Sequence, residues 1–245
     1  MRRAAGPLLC ELHAHTRWSD GQLTVAESVD LHGRLGFDVL CITDHVTRCD
    51  DPWRALAGRN TRSVTEVSWS AYLADVEREA ARASALYGML VLPGLELTYN
   101  DADPTHAAHA VAVGLREFVS VDDGVTEAVR TAVEAGAAVI AAHPSATGSH
   151  APSTRLTQRF AHDEELRGLV HRFELFNRTQ LFAWIAEHGL PGVATGDFHR
   201  PEHVAGWKTL VPTARDEGSV VTHLRSPAPV YLARLGPGEA SAAAA

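Results

Sequence analysis

Five apolar runs in this chain lead into side chains able to bind metal. Leu8-Leu9-Cys10 leads to His13-Ala14-His15, and Val39-Leu40-Cys41-Ile42 leads to Asp44-His45. The run 90–95 leads to Glu96, the run 138–142 to His143, and the run 193–196 to Asp197 and His199. Side chains alternate along an extended strand, so both imidazoles of His-x-His face one side and can hold one ion. One such pair is weak evidence. A series of imidazoles and carboxylates at successive strand ends is much stronger, and this donor mix suits Zn, Fe or Mn. The pocket these residues would form is a multi-metal site.

Ligands spread from residue 13 to residue 199 must be gathered by the fold. Thr24 with Glu27 three residues on reads as a capping box that opens a helix, and Gly36 as the residue that closes it. Helices closing at Gly88, Gly136 and Gly189 are followed by strands over 89–95, 137–142 and 190–195, as 37–43 follows Gly36. Trp69, Leu73, Val76, Ala80 and Ala83 keep helical spacing and read as a core stripe. Further strands are expected at 109–115, 169–176, 209–211 and 230–232, with a short helix over 216–225. Residues 44–63, 101–105 and 145–153 read as connections, the first of them long enough to cover a pocket. Strands alternating with helices indicate parallel βα units. The carboxyl ends of such strands form one face, where a barrel carries its active site.

The 245 residues are expected to form one domain over 1–235, with a disordered tail at 236–245. A formal charge of −8 argues against a stable nucleic-acid partner or a charged membrane surface. No run approaches membrane-spanning length, and the apolar stretch after Arg2 and Arg3 is too short for a signal peptide. Cys10, Cys41 and Cys49 are odd in number and lack CxxC spacing, which fits a reducing cytoplasm. Lys208 is the single lysine and is read as structural.

His13-Ala-His15-Thr-x-x-Ser-Asp20-Gly, Thr43-Asp44-His45, Pro93-Gly-Leu-Glu96, His109, Ala142-His143-Pro144 and Gly196-Asp197-Phe-His199 occur in this order. Together they resemble the motifs of the polymerase-and-histidinol-phosphatase (PHP) domain, over residues 8 to 200. The resemblance implies an α/β fold of the distorted (β/α)7 barrel type, a two- or three-metal site, and phosphoester hydrolysis in stand-alone members. It assigns His13, His15 and Asp197 to a first ion. Glu96 bridges to a second, shared with His109 and His143. Asp20, His45 and His199 hold a third. His109 is preferred to His106 because a strand follows it directly, and that strand is expected to run in reverse. Some members have histidine where this chain has Asp20.

Asp44 is expected to orient an imidazole or, failing that, to cap a turn. Arg17, Arg178 and Arg200 are candidate phosphate clamps, since a guanidinium matches a pair of phosphate oxygens. Glu174 and Asn177 are placed near a strand end, where they would support the pocket. His203 lies just past the last motif. His32, His150, His162, His171, His188 and His223 belong to no motif and read as surface or packing residues.

The expected activity is hydrolysis of a small phosphomonoester by metal-activated hydroxide. The substrate class spans a nucleotide, histidinol phosphate or a sugar phosphate. An exonuclease or phosphodiesterase acting on short oligonucleotides or nucleoside bisphosphates would use the same site. A carbamylated-lysine amidohydrolase is disfavoured because Lys208 follows the last ligand motif and Glu96 takes the bridging position. A non-catalytic metal-binding barrel is disfavoured because no ligand position is lost.

Overall fold

The computed structural model describes residues 6–52, 62–146 and 157–236. The outer part of the 145–153 connection, most of the tail, and His150 lie outside them, as does part of the 44–63 connection. Chain order begins with β1 (Leu8–Ala14), α1 (Val25–Arg34), β2 (Val39–Ile42) and β3 (His45–Thr47). Then come α2 (Glu66–Tyr87), β4 (Leu90–Tyr99), β5 (Ala108–Val113), α3 (Val125–Glu134) and β6 (Ala138–Ala142). The second half holds α4 (Arg159–His162), α5 (Glu164–Leu169), β7 (Arg172–Asn177), β8 (Gln180–Leu181), α6 (Ala183–Glu187) and β9 (Gly192–Thr195). A 3-10 turn over Pro201–Val204, β10 (Gly206–Val211), α7 (Glu217–Arg225) and β11 (Tyr231–Leu235) complete it.

The local signals act as their chemistry demands. Thr24 Oγ1 accepts the Glu27 N–H while Glu27 Oε2 accepts the Thr24 N–H, so both orphan donors at the start of α1 are satisfied. Gly88 ends α2 at φ 62°, a left-handed conformation that glycine adopts without a Cβ clash. Of the stripe on α2, Trp69, Val76 and Ala83 are buried while Leu73 and Ala80 pack at its margin. Tyr72 joins them, its hydroxyl donating to the carbonyls of Ile42 and Gly94.

The strands form one mixed sheet in the order β11-β10-β1-β2-β4-β5-β6-β7-β8, with β3 also on β4 and β9 also on β7. The pairs β1–β2, β2–β4, β6–β7 and β7–β9 are parallel. The reversed strand is β5, antiparallel to both β4 and β6. A bridge between Ala14 and Phe198 brings the chain beyond β9 against the end of β1, so the sheet is curled. The described residues form a mixed α/β fold with a curled, eleven-stranded sheet. The regular rhythm breaks where β4 meets β5, because only the 100–107 turn, rich in Asp, Pro and Thr, joins them.

Several expected bounds change; β5 ends at Val113, β10 starts at Gly206 and β11 runs to Leu235. Leu169 ends α5, and β7 starts only at Arg172. β4 runs on to Tyr99, and its extension pairs with β3, a strand inside the connection expected at 44–63. Alternate strand residues bury against two different sets. Leu40, Ile42, Ala110, Ala112, Val139 and Ala141 pack with α1, α2 and α3. Val39, Cys41, Val111, Val113, Ala138 and Ile140 pack with Val220 and Leu224 of α7. A sheet buried on both faces explains the near-continuous apolar strands. No helix among the described residues is long and apolar enough to cross a membrane.

Candidate metal centre

Strand register delivers the polar side chains to one place. His45 on β3 sits opposite Glu96 on β4, Thr98 opposite His109 on β5, and His109 opposite Ala142, the residue before His143. At the other side, His15 N donates to Phe198 O at 2.7 Å and Phe198 N to His13 O at 2.9 Å. These bonds stitch the His-x-His segment to the Asp-Phe-His segment. Among the described residues, the non-glycines with positive φ are His143 (31°), Arg178 (54°) and Asp197 (41°). All three lie at this centre. Unfavourable backbone held at one site is the pattern expected of a functional constraint.

Three groups of donors result: His13, His15 and Asp197; Glu96, His109 and His143; and His15, Asp20, His45 and His199. Within each, the donor atoms lie within 4.8 Å of one another. In the first, His13 Nε2 is 2.9 Å from His15 Nε2, and Asp197 Oδ1 is 3.7 and 3.5 Å from them. In the second, Glu96 Oε1 is 3.1 Å from His109 Nδ1 and 3.3 Å from His143 Nε2. In the third, Asp20 Oδ1 is 3.2 Å from His199 Nε2 and 3.5 Å from His45 Nε2. A tetrahedral ion with bonds of about 2.0–2.1 Å holds its donors roughly 3.3 Å apart, so these spacings fit.

Glu96 lies between the groups. Its Oε1 faces His109 and His143, and its Oε2 is 3.4 Å from both His13 Nε2 and His15 Nε2. Oε2 is buried and accepts no aligned hydrogen bond, although His45 Nδ1 is 2.7 Å away. That ring has a better-aligned acceptor in Thr98 Oγ1, also at 2.7 Å. A buried carboxylate oxygen without a donor is costly, and a cation is the partner this donor set would accept.

Burial would raise the Glu96 carboxyl, but His45, His13 and His109 hold it well below the usual range. Asp197 is likewise opposed by burial yet held well below its usual value by His199 and His13. Burial, with His199 and His45 beside it, pushes His15 down to about 3. Burial acts the same way on His45, but Glu96 and Asp20 outweigh it and lift it to about 9. The carboxylates are therefore anionic at neutral pH, and His15 offers a neutral ring.

Supporting residues fix the rings. Glu174 accepts from His13 Nδ1 (2.8 Å), His143 N (2.6 Å), Asn177 Nδ2 (2.9 Å) and Thr195 Oγ1 (2.6 Å). Asn100 Oδ1 is 3.0 Å from His109 Nε2, and Thr157 Oγ1 is 3.2 Å from His143 Nδ1. Asn100 and Thr157 were not legible as site residues, because neither belongs to a motif. Glu11 was also missed, though a charge two residues before His13 in an apolar strand was a usable signal.

Asp44 corrects an expectation. Its carboxylate accepts from Thr16 N, Thr16 Oγ1, Ser19 N and Ser19 Oγ at 2.6–3.0 Å, so it caps the turn between His15 and Asp20 rather than orienting an imidazole. Of the three arginines, Arg178 reaches the centre: Nη2 is 2.8 Å from Asp197 Oδ2. Arg17 Nε donates to Gln22 O, and Arg200 Nε lies 3.0 Å from His203 Nε2. Both of these side chains are engaged in the loops at the rim. His106 is exposed and lies in none of the donor groups, whereas His109 is buried beside Glu96.

No family model and no curated protein matches the chain. Solved structures do. A two-domain protein from Bacteroides vulgatus, containing a predicted PHP-like metal-dependent phosphoesterase, matches 96% of this chain and 69% of its own at 20% identity, with a TM-score of 0.64. An amidohydrolase from Chromobacterium violaceum, with bound sulfate and no metal, matches 95% of this chain and 99% of its own at 18% identity, with a TM-score of 0.53. The chain thus shares its fold with a protein described as containing a predicted PHP-like metal-dependent phosphoesterase.

Proposed function

We propose that this chain is a metal-dependent phosphoesterase that hydrolyses a small phosphomonoester. The observation that carries the reading is the position of Glu96, one oxygen toward each of two donor groups, in a fold shared with a protein containing a predicted PHP-like phosphoesterase. In this reading His13, His15 and Asp197 hold one divalent ion, and His109 and His143 a second, with Glu96 between them. Asp20, His45 and His199 hold a third, and the metal is Zn, Fe or Mn. Bound ions supply an activated water and neutralise phosphate charge.

Exposure indicates where substrate enters. The side chains of His13 and His15 are fully buried, whereas Asp20, His45 and His199 are 40%, 17% and 21% exposed. The phosphate therefore approaches from the Asp20 side. Arg178, 37% exposed and braced on Asp197, would present its guanidinium to the phosphate. Arg17 and Arg200 on the rim are further clamps for the incoming phosphate.

Two rivals differ in what they require. A lysine-bridged amidohydrolase needs an available lysine, but Lys208 Nζ is buried 2.7 Å from Glu11 Oε2. A diesterase or exonuclease needs only a wider mouth, and the net charge of −8 opposes a long polyanion. The test is to purify the protein without chelator, count Zn, Fe and Mn, and assay p-nitrophenyl phosphate, bis-p-nitrophenyl phosphate and natural monoesters. Two to three ions per chain, with monoester turnover lost in His13→Ala/Asp197→Ala, is the expected result. Preference for the diester would favour the rival. Failure to bind transition metal after reconstitution would end the proposal.

A further inference from the structure

Glu11 and Lys208 form an ion pair at 2.7 Å, and both side chains are wholly buried. The antiparallel register Cys10↔Thr209 between β1 and β10 sets them side by side. Burial of two charges costs several kcal/mol per ion in desolvation, so such a pair is a poor device for stability alone. Its contacts suggest another use. Glu11 Oε1 accepts the N–H of Gly196 at 2.7 Å and that of His13 at 3.3 Å. Lys208 Nζ donates to His203 O at 3.3 Å, and His203 Nδ1 lies 3.2 Å from the backbone nitrogen of His199. One carboxylate therefore touches the backbone of both segments that carry the first donor group.

Gly196 shows how tightly the loop sits on this pair. A Cβ there would lie 2.2 Å from Glu11 Oε2 and 2.4 Å from Lys208 Nζ. The bare Cα rests directly on the two charged ends, and the next residue is Asp197 at φ 41°. The compact ammonium matters, since a planar guanidinium presents a wider fork that this space does not hold. The chain uses arginine at 21 positions and lysine at this one.

We propose that Glu11 and Lys208 are positioning residues: they hold the Gly196–Asp197 backbone against His13 and so set the spacing of the first metal group. The inference rests on the metal-dependent reading above.

The test compares the wild-type chain with Lys208→Met and with Glu11→Leu/Lys208→Met. Each is stripped of metal and titrated with Zn²⁺ or Mn²⁺ against a competing chelator. Thermal midpoints and p-nitrophenyl phosphate kinetics are read alongside. Lys208→Met leaves a buried charge unpaired and is expected to lower the midpoint. The double variant removes both charges and is expected to regain it, since apolar replacement of a buried pair is often neutral. Its affinity for the tightest ion is nevertheless expected to fall about 10- to 100-fold, the usual effect of losing a residue that orients a ligand. At saturating metal, kcat is expected to drop with KM little changed.

A double variant with wild-type metal affinity overturns the inference and leaves a structural pair. If the double variant does not fold, Glu11→Gln conserves volume and asks the same question: roughly tenfold weaker binding supports the proposal, and unchanged binding overturns it. A wild-type chain that binds metal but cleaves no ester defeats the phosphoesterase reading and leaves the affinity comparison intact. A wild-type chain that binds no ion defeats both.

Discussion

Glu174 Oε1 lies 2.8 Å from His13 Nδ1, with both side chains fully buried. A carboxylate there can only accept, so one ring proton sits on Nδ1, and Nε2 is the atom turned toward His15 and Glu96. Burial opposes a charged ring, yet Glu96, Asp197 and Glu174 hold the pKa of His13 well above the ordinary value. A cation at Nε2 would take the place of that second proton.

Glu174→Gln should therefore weaken metal binding without unfolding the protein. Glutamine keeps the size, and its oxygen can still meet one donor, but the charge that makes His13 a better ligand is gone. The expected loss is about 10- to 100-fold in affinity for the tightest ion, read by competition with a chelator. An affinity equal to wild type would show that Glu174 serves only the hydrogen-bond network around His143, Asn177 and Thr195.

Glu96 is expected to behave differently from any single histidine. His109→Ala removes one donor from one group. Glu96→Ala removes an oxygen from two. Metal analysis after dialysis should show that Glu96→Ala loses more than one ion per chain, whereas His109→Ala loses at most one. Turnover should fall about a hundredfold or more for Glu96→Ala, in line with several kcal/mol of lost charge stabilisation. Equal stoichiometry in the two variants would remove Glu96 from the bridging role.

The sequence made the ligand-type residues legible because each closes an apolar run, although the structure continues β1 past His13 and β4 past Glu96. His13, His15, Glu96, His143 and Asp197 could be found that way. His109 needed the reversed strand as well, and β5 is that strand. The short strand His45–Thr47 was hidden because it is brief, lies inside a connection, and pairs only with the overrun of β4. Asp44 looked like an imidazole partner because of its neighbour in sequence. In space the nearest donors are the hydroxyls and amides of Thr16 and Ser19. Asn100 and Thr157 are ordinary polar residues, and only the tertiary fold brings them to a ring nitrogen.

Arg172 tests a part of the fold remote from the centre. It is almost wholly buried, and its guanidinium donates to the carbonyls of Leu224, His223, Ser226 and Ala228 at 2.5–3.2 Å. These carbonyls lie at and just beyond the end of α7, where the helix leaves its last acceptors unpaired and its dipole favours a cation. Arg172→Met should cost about 3 kcal/mol in denaturant unfolding by stranding several buried acceptors. Arg172→Lys should recover only part of it, since an ammonium lacks the fork that spans them. Unchanged stability in the methionine variant would mean that water replaces the guanidinium at no net cost.

His32 should make stability fall in acid by a route independent of metal. Its ring is fully buried between Phe37 and Phe198, at centroid distances of 4.9 and 4.8 Å. Nδ1 donates to Ser28 O at 2.8 Å, and Nε2 is buried without a hydrogen-bond partner. Burial pushes its pKa down to about 4; Glu11 works against that shift and Lys208 adds to it. A histidine with a folded value below its unfolded one binds its proton more readily when unfolded. Its contribution is complete above an unfolded value of about 6.5 and is lost as the pH falls toward 4. The difference corresponds to about 3 kcal/mol over that window. His32→Leu removes the titrating group while keeping the site apolar. With chelator present throughout, wild type and variant should be unfolded in denaturant at pH 7, 6, 5 and 4. The stability of the variant relative to wild type should rise by about 3 kcal/mol between the ends of the series. A difference that stays constant with pH would mean that the ring admits its proton in the folded state, and that acid sensitivity arises elsewhere.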